Sequence, residues 1–252
     1  MEQKRGVICI RHAQSTFNIA EAKAKQDNNF DKIEFRYLKE YIDCPLSELG
    51  KKQAEEAREK LKQENIKIIL ASPLSRCLMT AKIMFEGHPS NPKVIVVPEL
   101  REKIHSACDI PDNIELLMKE FPEFDFSLFE KFSRKKLWFL ELINDDTLRE
   151  ELLAEIKEKN IEDDLEAVKD IIIRRLQENH PVGMESELDL HERVIKSKEI
   201  VRKYLEQVKE GERVALISHF LYLRSLTAKY FQDGAPVMGM RFQNCVPVEI
   251  EF

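Results

Sequence analysis

Four apolar runs in this 252-residue chain each end in residues of the types that handle phosphate: Arg11 and His12, then Arg76, then Arg101 and Glu102, then His219. The richest stretch is Arg11-His12-Ala13-Gln14-Ser15-Thr16-Phe17-Asn18. It follows Val7-Ile8-Cys9-Ile10, which reads as a buried strand bounded by Gly6, and it leads into a segment from Ser15 through Lys23 that reads as the start of a helix. In open α/β sheets, ligands collect at the carboxyl ends of strands, where helix N-termini offer free N–H groups and a positive dipole. A guanidinium, an imidazole, a hydroxyl and an amide at such a junction make a phosphate site the first expectation. The competing expectation for a His after an apolar strand is a structural residue satisfied by a backbone group.

The elements that would carry these residues are legible in the same way. Ser47 is placed to cap a helix running through Gln53–Gln63, with Ala54, Ala57 and Leu61 on one face. Residues 66–71 read as a second buried strand and lead into Ser72-Pro73-Leu74-Ser75-Arg76. There Ser72 and Pro73 suit a helix start, and Arg76 falls in the first turn of a helix over 74–85. Residues 93–97 and 213–217 read as third and fourth strands, the last running through Ser218-His219 into a helix toward Tyr230. Asp27-Asn28-Asn29 reads as a break, and residues 246–252 as a terminal edge strand with Pro247 near its start. Strands alternating with helices predict a three-layer α/β/α fold around a mainly parallel sheet. Four strand ends would then converge on one edge. Taken singly, Arg76 is an ordinary surface arginine; the repeated placement of charge at strand ends argues for a shared site.

Residues 104–182 differ: helical, charged and free of strands, with Phe121, Phe124, Phe126, Phe129, Phe132, Trp138 and Phe139 concentrating much of the aromatic content. The expectation is a helical insertion over the carboxyl edge of the sheet, within a single domain spanning 1–252, its aromatic residues forming core rather than a ligand box. Arg134-Lys135-Lys136 is either solvated surface or a patch that steers an anionic substrate. Residues 183–189 open a long amphipathic helix through Arg193 and Leu205.

Composition narrows the classes. Hydrophobic residues at 43% and charged residues at 34% suit a soluble protein with a large core. A net charge of −6 gives no reason to bind nucleic acid or an anionic membrane. No apolar run is long enough to span a bilayer, and Met1–Arg5 has no signal-peptide core. Five scattered Cys form no CxxC pair, so a reducing, cytoplasmic setting is expected. With 7 Gly, all far apart, no glycine-rich phosphate loop is available. An anion site must be built from side chains and helix ends.

Residues 11–18 resemble the opening Arg-His-Gly-x-Ser-x-x-Asn of the histidine phosphatase superfamily, with Ala13 in place of Gly. The family's Pro-Leu-Thr-x-x-Gly-x-x-Gln-Ala stands as Pro45 to Ala54, its Ser-Pro-Leu-x-Arg-x-x-x-Thr-Ala as Ser72 to Ala81, and its Leu-x-Glu as Leu100-Arg101-Glu102. Glu185 to Asp189 resembles its later Glu-Ser-x-x-Asp, and Ser218-His219 its Ser-His-Gly, with Phe220 for the glycine. The resemblance implies a metal-independent phosphomonoester hydrolase with no cofactor. His12 would be the nucleophile that forms a phosphohistidine, Arg11 and Arg76 the phosphoryl clamp, and His219 a donor to a phosphoryl oxygen. Asn18 would bind the same group, beside Ser15, and Glu102 would be the general acid and then the base. Such an acid needs a raised pKa. Phe220 is expected to turn toward core or rim and narrow the leaving-group side.

Two other readings stand beside the phosphatase. A phosphoglycerate-type mutase is disfavoured because residues 103–110 lack the Tyr-Gly-x-Leu segment and paired Arg of the mutases. A silent phospho-ligand-binding module is disfavoured by the complete set of catalytic residue types. The expected partner is a phosphorylated small molecule or phosphopeptide; the pocket wall lies in the insertion, which the resemblance does not cover.

Overall fold

The computed structural model describes residues 6–26, 33–232 and 234–252. The readings made for Met1–Arg5 and Asp27-Asn28-Asn29 fall outside them. In chain order the elements are β1 (Gly6–Arg11), α1 (Thr16–Gln26), α2 (Glu48–Leu61), β2 (Ile66–Ala71), α3 (Ser75–Phe85) and β3 (Lys93–Val96). The insertion carries α4 (Ile114–Glu120), α5 (Asp146–Glu158) and α6 (Leu165–Glu178), joined by short 3-10 turns. Then come α7 (Glu187–Leu205), β4 (Arg213–Ser218), α8 (Phe220–Leu226), β5 (Tyr230–Gln232), β6 (Ala235–Val237) and β7 (Val248–Glu251).

The main sheet has the order β3-β2-β4-β1-β7. Its first four strands are mutually parallel, and β7 closes the edge antiparallel to β1. Val7–Ile10 and Val214–Ser218 are buried without a break, as strands covered on both faces must be. Alternation along the strands sorts the core into two layers. Ile8, Ile10, Ile69, Ala71, Ala215 and Ile217 pack with Ala54, Ala57, Leu78 and Ala81 of α2 and α3. Val7, Cys9, Leu70, Val214 and Leu216 pack with Leu190, Val194, Val201, Tyr222 and Leu223 of α7 and α8. This is the expected three-layer α/β fold. The register sets Arg11 opposite Ser218, and Ala71 opposite both Ile217 and Val96, so the carboxyl ends of the four parallel strands lie level.

The aromatic residues of the insertion are core. Trp138 is fully buried, edge-on to Phe129 (5.1 Å, 80°), and the cluster it belongs to is continuous with Ile8, Ile69 and Ala215 of the sheet. Arg134 and Lys135 are exposed, and Lys136 pairs with Asp163 (3.1 Å) within the insertion.

Several boundaries differ from expectation. Ser47 caps its helix as read, accepting from Gly50 N, but the helix starts at Glu48. Ser72 does not cap α3: the helix begins at Ser75, and Ser72 Oγ turns to His219 instead (2.6 Å). The helix after His219 stops at Leu226, and Tyr230 opens the β5–β6 hairpin. Strands of three residues with largely exposed side chains leave no apolar alternation to read.

Candidate active site

The loop that carries His12 is braced from below by the Pro45–Ala54 stretch. Ser47 N donates to Gln14 O (2.9 Å) and Ser47 Oγ to Gln14 Oε1 (2.8 Å), while Gln14 N donates to Gln53 Oε1 (3.0 Å). Gly50 lets α2 come this close: a Cβ there would sit 2.0 Å from Gln14 O, a backbone atom that cannot swing away. Gly50→Ala is therefore expected to destabilise the protein by about 2–3 kcal/mol, the upper range for overpacking a core. It should also lower activity by displacing the loop. A thermal melt beside a kinetic assay checks this; an unchanged melt would show that the loop is not so braced.

His12 is 4% exposed. Its Nδ1 lies 2.7 Å from Ala13 O, a pure acceptor, so Nδ1 carries the proton and Nε2 keeps its lone pair. Arg76 Nε donates toward Nε2 (3.3 Å), which requires the same tautomer. Burial, then the charges of Arg76 and Arg11, hold the His12 pKa well below 6.5. The imidazole is thus a neutral base at physiological pH. Asn244 Nδ2 donates to His12 O (2.6 Å) and His12 N to Ser218 O (2.9 Å), fixing the backbone beneath the ring.

Arg76, 3% exposed, donates from Nη1 to Cys108 O (2.5 Å) and from Nη2 to Asp109 Oδ1 (3.0 Å). Burial opposes its charge, but the neighbouring Cys108 and Asp109 outweigh it and the net direction is up. Arg11 stands at the other side. Among the described residues its Nη1 reaches only Phe242 O at 3.4 Å, and its buried Nε has no hydrogen-bond partner. Burial lowers its pKa, against the charges of Glu102 and Glu21. The Phe220 ring lies 5.2 Å from the Arg11 guanidinium carbon, half-buried.

His219 is fully buried, its ring centroid 5.1 Å from that of His12, with Nε2 against Ser72 Oγ (2.6 Å) and Cys77 Sγ (3.5 Å). Burial, then Arg76, depress its pKa well below 6.5. Glu102, 5% exposed, accepts at Oε1 from Lys103 N (2.9 Å) and Tyr222 N (3.1 Å), and at Oε2 from Leu221 N (2.9 Å). Burial, then the charge of Asp109, raise its pKa above 4.5, while the Lys103 and Leu221 N–H groups pull it down. The net is a carboxyl that holds its proton longer than a free Glu, with one Oε2 lone pair left for it.

Ser15 and Asn18 serve α1. Asn18 Oδ1 accepts from Ser15 N (3.1 Å) and Ser15 Oγ from Asn18 N (3.3 Å), a reciprocal cap that leaves the Asn18 amide donors for other work.

The fold therefore brings together Arg11, His12, Arg76, Glu102 and His219. Residues 7–125 match the model of the histidine phosphatase superfamily, branch 1. Over that stretch the chain is similar to the superfamily. No curated protein sequence matches the chain. Among solved structures, it is similar to the alpha-ribazole phosphatase from Shigella flexneri (16% identity over 98% of this chain and 90% of that one, TM-score 0.53). It is equally similar to the ecdysone phosphate phosphatase from Bombix mori, solved with tungstate (16% identity over 98% and 88%, TM-score 0.53). At such identity these likenesses speak for the fold.

Sequence reasoning missed Asp109. It is 1% exposed and accepts from Arg76 Nη2, from Ser106 Oγ (2.8 Å) and from His105 Nδ1 (3.0 Å). Burial alone would raise its pKa; His105 and Arg76 instead hold it well below the carboxylate range. It sits in residues 103–110, where the chain departs from the mutase pattern, so no motif flagged it. The Asn244 contact was equally silent, because it comes from a loop near the far end of the chain.

Proposed function

We propose that this chain is a phosphomonoester hydrolase that works through a phosphohistidine on His12, without a metal in the reaction. The observation that carries the reading is the Nδ1–H of His12 held on Ala13 O at 2.7 Å, which leaves a buried neutral Nε2 as nucleophile. Arg11 and Arg76 take the charge of the phosphoryl oxygens, and Arg11 Nε, without a hydrogen-bond partner among the described residues, supplies a donor. His219 and Asn18 complete the donors. Nε2 forms its bond to phosphorus as the ester P–O bond breaks, and Glu102 gives its proton to the departing alkoxide. Glu102, now a carboxylate, takes a proton from water as that water attacks phosphorus. The P–N bond breaks, and His12 leaves as the neutral base it was.

The substrate class proposed is a phosphorylated small molecule or phosphopeptide, with the 104–182 insertion as the cap that selects it. Phe220, lying over Arg11, narrows the leaving-group side. Phe220→Gly removes a half-exposed cation–π contact of about 0.5–1 kcal/mol, so kcat should change by less than about tenfold while the range of accepted leaving groups broadens. Kinetics over a panel of phosphomonoesters reads both. A large gain on every substrate would mean that the ring obstructs the phosphate site.

Hydrolysis of p-nitrophenyl phosphate in EDTA tests the function as a whole. Turnover there is the expected result. Phosphate binding without turnover on any monoester would make the chain a binding module.

A further inference from the structure

We infer that Arg101, Glu185 and Arg193 form a buried clamp whose task is to set the position of Glu102, which makes the two arginines and Glu185 positioning residues for proton transfer. The inference rests on the reading of Glu102 as proton donor.

The three side chains are 0%, 0% and 2% exposed. Arg101 binds Glu185 with both ends of its fork (Nη1 to Oε2 2.5 Å, Nη2 to Oε1 2.9 Å). Arg193 binds the same carboxylate from Nε (3.3 Å) and Nη2 (3.2 Å). Most of their remaining donors go to main chain around Glu102. Arg193 Nη1 donates to Glu99 O (2.9 Å) and Arg101 O (2.7 Å), and Nη2 to Glu102 O (3.3 Å). Arg101 Nη1 also donates to Glu102 O (2.9 Å), and Nη2 to Leu142 O in the insertion (3.2 Å). Glu185 Oε2 accepts from Ile104 N (3.1 Å).

The segment 99–104 after β3 has little regular structure of its own, only a single 3-10 turn at Pro98–Leu100. Its geometry is set by side chains reaching from α7 and from the loop before it. Glu102 is thereby gripped at both ends: its carbonyl by two guanidinium groups, its carboxylate by the N–H groups of Lys103, Leu221 and Tyr222. Stability does not account for such a cluster. Two positive charges and one negative are taken out of water, the Arg101 Nε has no partner among the described residues, and buried triads of this kind are often matched or bettered by apolar side chains. What an apolar replacement lacks is directional donors to the three carbonyls of Glu99, Arg101 and Glu102, around a proton donor that must sit within hydrogen-bond reach of a leaving oxygen.

The test compares Arg193→Met with wild type on an alkyl phosphate and on p-nitrophenyl phosphate, whose leaving group needs little protonation. The expected loss of kcat is ~100-fold on the alkyl phosphate, the effect of misplacing a reacting group by about 1 Å. On p-nitrophenyl phosphate it should be no more than about threefold, and inhibition by inorganic phosphate should be unchanged, because Arg11, Arg76 and His12 are untouched. Arg193→Lys, which keeps the charge and part of the grip, should recover part of the alkyl-phosphate rate, and it is read in the same way if Arg193→Met does not fold. Glu102→Gln runs alongside, and the Glu102→Gln/Arg193→Met double variant should be no more leaving-group-selective than Glu102→Gln alone. Equal losses on both substrates in the folded Arg193 variants, beside a selective Glu102→Gln, overturn the clamp alone. Equal losses in Glu102→Gln overturn the donor reading and the clamp with it.

Discussion

His12→Ala is expected to lower kcat by at least about 10⁴-fold on every phosphomonoester, a barrier increase of about 5.4 kcal/mol. The size follows from the site. Nε2 of His12 is the neutral base that both neighbouring contacts leave with a lone pair, and a water standing in for it would lack both nucleophilicity and fixed aim. His219 cannot substitute, since its Nε2 is committed to Ser72 Oγ. The fold should survive: the ring contributes two hydrogen bonds, to its neighbour's carbonyl and from Arg76 Nε, and the strand beneath is held by backbone bonds to Ser218 and by Asn244. A circular dichroism spectrum and melt beside the kinetics separates loss of chemistry from loss of structure. Turnover within about tenfold of wild type would assign the nucleophile elsewhere.

Glu102→Gln is expected to act selectively. An alkoxide leaves poorly without a proton, so alkyl phosphates should slow by about 10²–10⁴-fold, the usual worth of a positioned general acid, while p-nitrophenyl phosphate slows far less. The pH dependence has a definite sign. Glu102 works protonated, and its pKa is raised by burial and by Asp109, so the alkyl-phosphate rate should fall as pH rises through that raised value. His12 works neutral, and its pKa is held well below 6.5, so protonation of the nucleophile cuts the rate only on the far acid side. In Glu102→Gln the alkaline limb should vanish and the acid limb stay. Equal losses on both substrates, or an alkaline limb that survives, would make Glu102 a structural or substrate-binding residue.

The parts of this molecule that were legible in its sequence are those where one local signal decides. Uninterrupted apolar runs such as Val7–Ile10 gave away strands buried on both faces, and the charges behind them marked the site edge. The expectations for Arg11, His12, Arg76, Glu102 and His219 were all drawn that way. What stayed hidden depends on contacts across the chain. Ser72 looked like a helix cap because Pro73 follows it, but the nearby His219 Nε2 competes for its hydroxyl. Asp109 meets Arg76 from a segment with no periodicity, where only the folded path brings the carboxylate to the guanidinium. Arg193 shows the reverse: it was read as one position on an amphipathic helix, yet it is 2% exposed and its fork ends on main chain around Glu102. Side chains that bond to backbone leave no trace in hydrophobic patterning.

The phosphoenzyme tests the central claim most directly. Wild-type protein mixed with labelled phosphomonoester and quenched rapidly in alkali should carry label that survives base and is lost in acid, as a phosphohistidine is, and peptide mapping should place it on His12. The same label in His12→Ala should be absent. Label that is stable in acid, or that maps to any residue other than His12, would contradict the account.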